Sequence, residues 1–305
     1  MKKLFVFICI VAFIAPVLIF AGGQKDAEDD GEIVIGMTVP GLQFPFFVTM
    51  ADEAKAKAAE LGMTLLIHDS QNQSSTQMSG MENFMAQKVD GILISPMTTD
   101  SLVPAIEAAI AGGIPVATVD RQSNSDLVLI HVGADNIEGG RSAARFIIEK
   151  LGGKGKVIEL EGTPGSSAAI DRKAGFDEIM SQSDVEVIVS QTAEFSRSEG
   201  QNVMEDLIIA YPDFDAVFGA NDEMIIGAIE AMSAAGLDLS TIITVGFDAT
   251  TDAFSYMNDG MLSATIDQFP GQQAGLALQV LYDNITSGKK PAKSTVYINP
   301  LPVTE

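Results

Sequence analysis

Carboxylates, amides, arginines and phenylalanines recur at the ends of the predicted strands of this 305-residue chain. Hydroxyl groups donate and accept hydrogen bonds, so Asp, Asn, Gln and Arg side chains can pair with them in fork geometry. Phenyl faces pack on the apolar C–H faces of a sugar ring. The set indicates a site for a neutral polyol and contains neither a nucleophile–base pair nor a phosphate-binding loop. The strand-end residues are Phe44, Phe46, Phe47, Asp69, Pro96, Asp120, Arg121, Asp135, Arg172, Phe195, Asn221, Asp222, Phe247, Asp248, Asp267 and Gln268.

These side chains must be positioned by strands that alternate with helices from residue 33 onward. Several strands are nearly continuous apolar runs, which is typical of parallel strands covered on both faces. The strict β/α order predicts an α/β fold with doubly wound parallel sheets, and ten strands favour two sheets over one. Ligands of such sheets lie outside the carboxyl ends of the strands. The predicted strands are 33–39, 63–68, 91–95, 114–119, 127–132, 156–160, 185–190, 216–219, 242–246 and 263–266.

Two stretches of the chain look like copies of one α/β unit. Residues 89–121 and 215–248 each contain an apolar strand, an Ala/Ile-rich helix and a second strand followed by aspartate, at Asp120 and Asp248. A duplicated unit indicates two similar domains. The cleft between two such domains is a natural small-molecule site.

Residues 1–21 have the pattern of a secretory signal peptide. Two lysines precede an apolar run over 4–20, and Ala21 can end a cleavage site. A permanent membrane anchor is the alternative, but Pro16 and the length of the run argue against it. Residues 22–31 are polar and acidic, and we expect a disordered lead-in there.

Composition narrows the possible chemistry and partners. Cys9 is the only cysteine and lies in the segment expected to be removed, so the mature chain has no disulfide, no thiolate and no lipid-anchor cysteine. The formal net charge of −23 repels nucleic acid and anionic lipid surfaces. His68 and His131 lack metal-ligand neighbours, which favours structural roles over a metal site. We therefore expect no metal and no cofactor.

Several short motifs make the pattern specific. They are Phe46-Phe47, Asp120-Arg121-Gln122, Ser167-Ala168-Ala169 with Arg172, Phe195, Asn221-Asp222-Glu223-Met224 and Gly246-Phe247-Asp248. Together they resemble the type I solute-binding proteins of bacterial ABC sugar importers, the family of the periplasmic ribose-binding protein and its pentose and hexose relatives. The resemblance covers nearly the whole chain after the signal peptide, with very few gaps.

The resemblance implies two α/β domains joined by a three-segment hinge, with a sugar trapped when the domains close. The crossings would lie near Ala134-Asp135, Gln268-Phe269 and Val296-Tyr297. The chain would be a periplasmic receptor and not an enzyme, monomeric by family expectation, that delivers a monosaccharide to an inner-membrane ABC permease. The first domain would comprise residues 32–134 and 269–296, and the second residues 135–268 and 297–305.

The resemblance also implies a role for each site residue. Phe46 and Phe47 from the first domain and Phe195 from the second would sandwich the sugar ring. Phe247 either adds to this wall or packs in the core. The hydroxyl forks would be Asp120 with Arg121 in the first domain and, in the second, Arg172, Asn221, Asp248 and Gln268.

Structural roles for the same residues stay open. Asn221 and Asp248 are also suited to cap helices, since both residue types are favoured at helix N-caps. The two site arginines could instead form surface or domain-closing salt bridges. Asp135 and Asp222 are expected to cap helices or pin the hinge without touching the sugar.

Two positions depart from the ribose-binding pattern. Phe44 stands where the family has an asparagine that bonds a sugar hydroxyl, and Pro40 stands where the family has a serine. A buried hydroxyl without a partner costs roughly 1–3 kcal/mol. Either Gln43 reaches into the site to compensate, or the ligand has fewer or differently placed hydroxyls there. The expected ligand is ribose or a related pentose or hexose, and the alternative is a ketose, a deoxy sugar or another small polyol.

Other classes of protein share parts of this pattern. A nicotinamide-dependent dehydrogenase would need Gly-x-Gly-x-x-Gly after the first strand, where residues 39–45 are Val-Pro-Gly-Leu-Gln-Phe-Pro. The sugar-sensing core of a lac-repressor-like transcription factor would need a basic helix-turn-helix in place of the signal peptide. A receptor that serves a chemoreceptor or sensor kinase, rather than or besides a permease, fits the same residues.

Overall fold

The computed structural model describes residues 31–304, in which strands and helices alternate. The expected signal peptide and almost all of the lead-in lie outside these residues, and no helix within them is long and apolar enough to cross a membrane. The strands are β1 (Ile33–Val39), β2 (Met63–Asp69), β3 (Gly91–Ile94), β4 (Val116–Val119), β5 (Ile130–Ala134), β6 (Lys154–Glu161), β7 (Asp184–Thr192), β8 (Ala216–Gly219), β9 (Ile243–Val245), β10 (Thr265–Asp267), β11 (Thr295–Ile298) and β12 (Leu301–Val303). The α-helices are α1 (Pro45–Glu60), α2 (Ser74–Gln87), α3 (Val103–Ala111), α4 (Asn136–Lys150), α5 (Ser167–Met180), α6 (Arg197–Ala210), α7 (Asp222–Ala234), α8 (Thr251–Asn258) and α9 (Pro270–Ser287).

The strands form two parallel sheets. The first sheet has the order β11-β5-β4-β3-β1-β2 and the second β7-β6-β8-β9, and every pairing in both is parallel. β10 pairs antiparallel with β12, and an isolated bridge between Val245 and Ala264 links this pair to the second sheet. The prediction of an α/β fold with two doubly wound parallel sheets is confirmed.

The sequence of β3 shows why helices cover both faces of the first sheet. Its four residues are all buried and apolar. Ile92 and Ile94 pack in a cluster with residues of α2 and α3, whereas Leu93 between them packs with α1 and α9. Since successive side chains of a strand point to opposite faces, an unbroken apolar run is stable only when both faces are covered.

Over residues 31–304 the chain passes three times between the two sheets. The first passage follows β5 at Asp135, which caps α4. The second follows β10 at Phe269, whose φ of 56° lies in the left-handed region. The third follows β11, which stays paired with β5 as far as Ile298. This passage therefore lies after Ile298, and not at Val296-Tyr297 as expected.

Two glycines allow α4 and α5 to pack with their backbones almost in contact. A Cβ on Gly140 would lie 2.0 Å from the carbonyl oxygen of Arg172, and one on Gly175 would lie 1.9 Å from that of Ile137. No side chain fits at either position. Because α5 carries Arg172, this close approach decides where that arginine lies relative to the strand ends.

Candidate functional site

A cavity is lined by residues that follow strand ends in both sheets. The empty space within it, open solvent included, is about 320 Å³. Ten of the twelve site residues expected from the sequence line it, and Ala168 joins them. The lining residues are Phe44, Phe46, Phe47, Asp120, Arg121, Ala168, Arg172, Phe195, Asn221, Asp248 and Gln268.

The first sheet contributes a buried carboxylate and guanidinium from adjacent residues. Asp120 directly follows β4 with φ of 62°, so its side chain and that of Arg121 both enter the cavity. The Ser95 hydroxyl donates to Asp120 Oδ2 at 3.0 Å, and Arg121 Nη1 donates to the Met97 carbonyl at 3.1 Å. Arg121 Nε lies 3.7 Å from Asp120 Oδ2. This fork is therefore fixed by the contact between Asp120 and Arg121 and by their contacts with the turn after β3.

The second sheet contributes a similar group from three elements. Arg172 Nη1 on α5 lies 3.6 Å from Asp248 Oδ1, which follows β9. Gln268, just after β10, donates from Nε2 to the same carboxylate oxygen at 2.6 Å. Arg172 is held from behind, since its Nε donates to Asn136 Oδ1 at 2.9 Å and its Nη1 to the Ala220 carbonyl at 2.7 Å. The carboxylate and guanidinium are thereby aimed at the cavity.

Aromatic rings form the apolar walls. Pro45 begins α1 and fixes the backbone angle there, which places Phe46 and Phe47 in the first turn of the helix. These two rings make an edge-to-face contact with centroids 5.1 Å apart, and Phe44 packs edge-on to Phe47 at 6.4 Å. Phe195, after β7, lines the cavity from the second sheet. Apolar faces from both sheets are thus available to one ring-shaped ligand.

Burial shifts the pKa of all four charged groups toward the neutral form. Desolvation raises the pKa of Asp120, and it raises that of Asp248 well above the ordinary value, against the pull of the neighbouring arginines. The same burial lowers the pKa of Arg121 to about 10 and also lowers that of Arg172. Two acids and two bases therefore face the cavity with their formal charges balanced.

Asn221 caps a helix and also lines the cavity. Its Oδ1 accepts from the backbone N–H of Met224 at 3.0 Å and so caps α7, while its Nδ2 donates to the carbonyl of Phe195 at 3.2 Å. It also lines the cavity. This residue therefore has both of the roles considered from the sequence, helix cap and cavity residue.

Phe247 and Gln43 do not line the cavity, unlike the other expected site residues. Phe247 is fully buried, and its ring centroid lies 3.7 Å from the guanidinium carbon of Arg172, so it supports that arginine from the core. Gln43 is exposed, and its side chain folds back over Gly41. The compensation by Gln43 considered from the sequence is therefore not made in this structure.

The other titratable groups singled out from the sequence hold the scaffold. Asp222 accepts from the backbone and hydroxyl of Thr250 and from the hydroxyl of Thr265, and burial raises its pKa to about 7. His131 lies 3.0 Å from the Thr118 hydroxyl, and burial lowers its pKa to about 4. Within residues 31–304 no group of three His, Cys, Asp or Glu side chains is arranged to hold a metal ion.

Three residues that were not singled out from the sequence hold the charged groups: Ser95 and Asn136 act through their side chains, and Met97 acts through its backbone carbonyl. Ser95, Met97 and Asn136 each hold one of the charged groups without lining the cavity. Ser95 ends a predicted strand, which is a usable signal. Nothing in the sequence marks the Met97 carbonyl as a partner for an arginine.

Two parallel α/β sheets that share a polar and aromatic cavity at their strand ends are the arrangement of a solute-binding protein. Residues 35–290 match the family model of the periplasmic binding protein domain. The chain therefore belongs to the periplasmic binding protein family, whose members bind solutes and are not enzymes.

Individual relatives are similar over most of this chain. The ribose import binding protein RbsB of Bacillus subtilis is 42% identical over 263 residues, which are 86% of this chain and 85% of that protein. RbsB of Escherichia coli is 38% identical over 290 residues, 95% of this chain and 94% of that protein. The crystal structure of a Caulobacter myo-inositol binding protein superposes with a TM-score of 0.84 and 31% identity, covering 89% of this chain and 93% of the other.

Proposed function

We propose that this chain is an extracytoplasmic receptor that captures a monosaccharide, ribose or a related pentose or hexose, and delivers it to an inner-membrane ABC permease. One observation carries the proposal: each sheet directs a carboxylate–guanidinium pair into the same cavity. Both ribose import binding proteins named above support a sugar as the ligand. The myo-inositol binding protein supports a ring rich in hydroxyls.

The charged groups suit a neutral ligand with many hydroxyls. A carboxylate accepts and a guanidinium donates, so a pair of them satisfies both halves of neighbouring hydroxyl groups. The formal charges of the two pairs cancel, so the ligand needs no charge of its own. Hydrogen bonds to ionised groups are roughly twice as strong as neutral ones, which offsets the cost of stripping water from a sugar.

We further propose that the two sheets with their helices act as lobes around a hinge. The lobes are those expected from the sequence, with the third crossing moved to residues 299–300. Contacts already bridge the sheets outside the cavity: Thr99 N donates to the Gly165 carbonyl at 3.0 Å, and Gln122 N donates to Ser167 Oγ at 2.8 Å. A sugar that engages both pairs would favour this arrangement of the lobes. Cleavage after Ala21 would release the receptor into the periplasm.

The first-sheet side of the cavity offers fewer hydroxyl partners than the family pattern, because Phe44 and Pro40 both replace residues that could bond a hydroxyl. Phe44 lines the cavity where the family has an asparagine, and Gln43 does not enter. The apolar ring of Phe44 favours a ligand that presents a C–H face, or lacks a hydroxyl, at this position. A deoxy sugar, a ketose or another small polyol meets this condition, whereas ribose requires that the loss of these partners be tolerated.

The test is the melting temperature of residues 24–305, freed of ligand by unfolding and refolding, measured with D-ribose, 2-deoxy-D-ribose, D-fructose and myo-inositol. A ligand at 1,000 times its Kd adds roughly 4 kcal/mol of stability. For a chain of this size we expect a shift on the order of 10 °C. A shift with ribose supports the full proposal, and a shift with another sugar alone replaces ribose as the ligand.

Matched variants separate specific binding from general stabilisation. Arg172→Met removes a cavity guanidinium, and Arg145→Met removes an exposed one from the neighbouring α4. We expect the sugar-induced shift to persist in Arg145→Met and to vanish in Arg172→Met. Absence of any shift across a wider set of monosaccharides and polyols would overturn the proposal.

A further inference from the structure

One buried glutamine joins both ends of the turn that follows β3. Gln77 lies on α2 and is completely buried. Its Nε2 donates to the carbonyl of Ser95 at 2.8 Å, and its Oε1 accepts from the backbone N–H of Met97 at 2.9 Å. The amide thus satisfies two backbone groups at a strand end, where the sheet offers them no partner.

The same turn supplies the two contacts that hold the first-sheet fork. Ser95 donates its hydroxyl to Asp120 at 3.0 Å, and the Met97 carbonyl accepts from Arg121 at 3.1 Å. Gln77 itself does not line the cavity. A single side chain therefore fixes the residues that fix both charged groups.

We propose that Gln77 is a positioning residue for sugar recognition, acting on Asp120 and Arg121 through the Ser95–Met97 turn. The inference rests on the proposed function for its sugar-binding readout. A displacement of the turn moves the acceptor of the Arg121 guanidinium and the donor to the Asp120 carboxylate together. Affinity then falls although every residue that touches the sugar is unchanged.

Two substitutions that nearly preserve the size of the side chain test the donor and the acceptor of the Gln77 amide separately. Gln77→Glu keeps an acceptor for the Met97 N–H but, when ionised, turns an oxygen toward the Ser95 carbonyl. When protonated, it regains a donor. Gln77→Met preserves the approximate shape of the glutamine side chain but can form neither hydrogen bond. Gln87→Glu introduces the same charge on an exposed position of α2 and is the control.

The measurement is the Kd for the sugar by titration calorimetry at pH 8.5 and pH 5.5, given as the ratio of variant to wild type at each pH. His68, which packs against Gly80 of α2, and the Asp120–Arg121 pair are common to all the proteins, so the ratio isolates position 77. We expect Gln77→Glu to bind at least tenfold more weakly at pH 8.5 and to recover most of this loss at pH 5.5. Gln77→Met should be equally weakened at both pH values, and Gln87→Glu unaffected.

Hydrogen exchange of the ligand-free proteins gives a readout without sugar. We expect faster exchange over residues 97–101 and 121–124 in Gln77→Met, because Asn124 N donates to the Thr99 carbonyl and couples the two segments. Kd ratios within twofold of one at pH 8.5, or exchange confined to Met97, would overturn the inference. If the wild type binds no sugar, the proposed function fails and the exchange comparison alone decides the role of Gln77. If Gln77→Met does not fold, the two-pH comparison of Gln77→Glu decides it.

Discussion

The guanidinium of Arg121, which follows β4 of the first sheet, lies 5.3 Å from the ring centroid of Phe195, which follows β7 of the second. The same guanidinium lies 5.6 Å from the ring of Phe47 on α1. Arg121 is thus placed between aromatic walls that belong to different sheets, at distances where cation–π attraction operates. The polar fork and the apolar walls of the site therefore depend on one another, and a change in a wall displaces the fork.

Gly162 makes room for the Phe195 ring, since a Cβ there would lie 2.0 Å from Phe195 Cζ. We predict that Gly162→Ala displaces the ring and raises the Kd for the sugar at least tenfold in calorimetric titrations. Gly275→Ala on α9 is the control, because its Cβ would meet nothing closer than Lys57 Cγ at 3.8 Å. The control should stabilise the fold by up to about 1 kcal/mol without changing affinity. Unchanged affinity in Gly162→Ala would contradict this role.

Asp248→Asn should weaken both the fold and sugar binding. The substitution removes the negative charge 3.6 Å from the buried Arg172 guanidinium. Leaving one member of a buried ion pair alone costs about 3–5 kcal/mol, and a lost hydrogen bond to a charged group costs about 1.5–3 kcal/mol of binding. We expect a lower melting temperature and a Kd raised ten- to a hundredfold. Asp184→Asn, at an exposed position in β7, should change neither quantity.

Sugar affinity should fall as the pH is lowered. Burial raises the pKa of Asp120 and Asp248, and only their ionised forms accept hydrogen bonds with both oxygens. Below the raised pKa values the sugar must displace a proton, so the Kd rises toward tenfold per pH unit for each proton. Calorimetry in buffers of different ionisation enthalpy should detect proton release at pH values below the raised pKa values. A Kd that stays constant on acidification would refute this linkage.

Asp222 should make the fold less stable as the pH rises from about 4 to about 7. Its folded-state pKa of about 7 lies above the unfolded value, so the folded protein binds the extra proton in this range and loses that advantage as the pH rises. His131, with its pKa lowered to about 4, acts in the opposite direction between pH 4 and 6.5. The difference in melting temperature between Asp222→Asn and wild type removes the His131 contribution.

We expect this difference to change in favour of Asp222→Asn from pH 4 to 7 and to level off above it. Asp184→Asn, at an exposed position in β7, is the control for replacing a carboxyl group by an amide. A difference that stays flat for Asp222→Asn would show that its carboxyl group is ionised throughout.

The parallel strands could be predicted because burial on both faces leaves a strong mark in the sequence. The first strand, Ile33–Val39, has the predicted bounds. β11 and β12 are not among the predicted strands, since they are only four and three residues long and none of their residues is fully buried. Their existence depends on partners, β5 and β10, that are distant along the chain.

The composition of the cavity followed from the strand ends, but the direction of individual side chains did not. Phe247 and Phe195 both follow strands, yet one packs beneath Arg172 and the other faces the cavity. Phe195, Asp248 and Ala249 have positive φ without being glycine, so no residue type marks the turns that orient them. Gln77 lay outside any pattern, because a buried amide on a helix is recognisable only from what it touches.

Because two aspartates balance two arginines in the cavity, the affinity for a neutral sugar does not depend on the ionic strength of the medium. The chain as a whole carries a formal charge of −23, and its surface field is screened within about 8 Å at physiological salt. While both carboxyl groups are ionised the site has no net charge, and a neutral sugar that enters it neither gathers nor releases counterions. Salt will therefore alter how often this acidic receptor meets charged partners, while the strength with which it retains its cargo stays the same in dilute and saline surroundings.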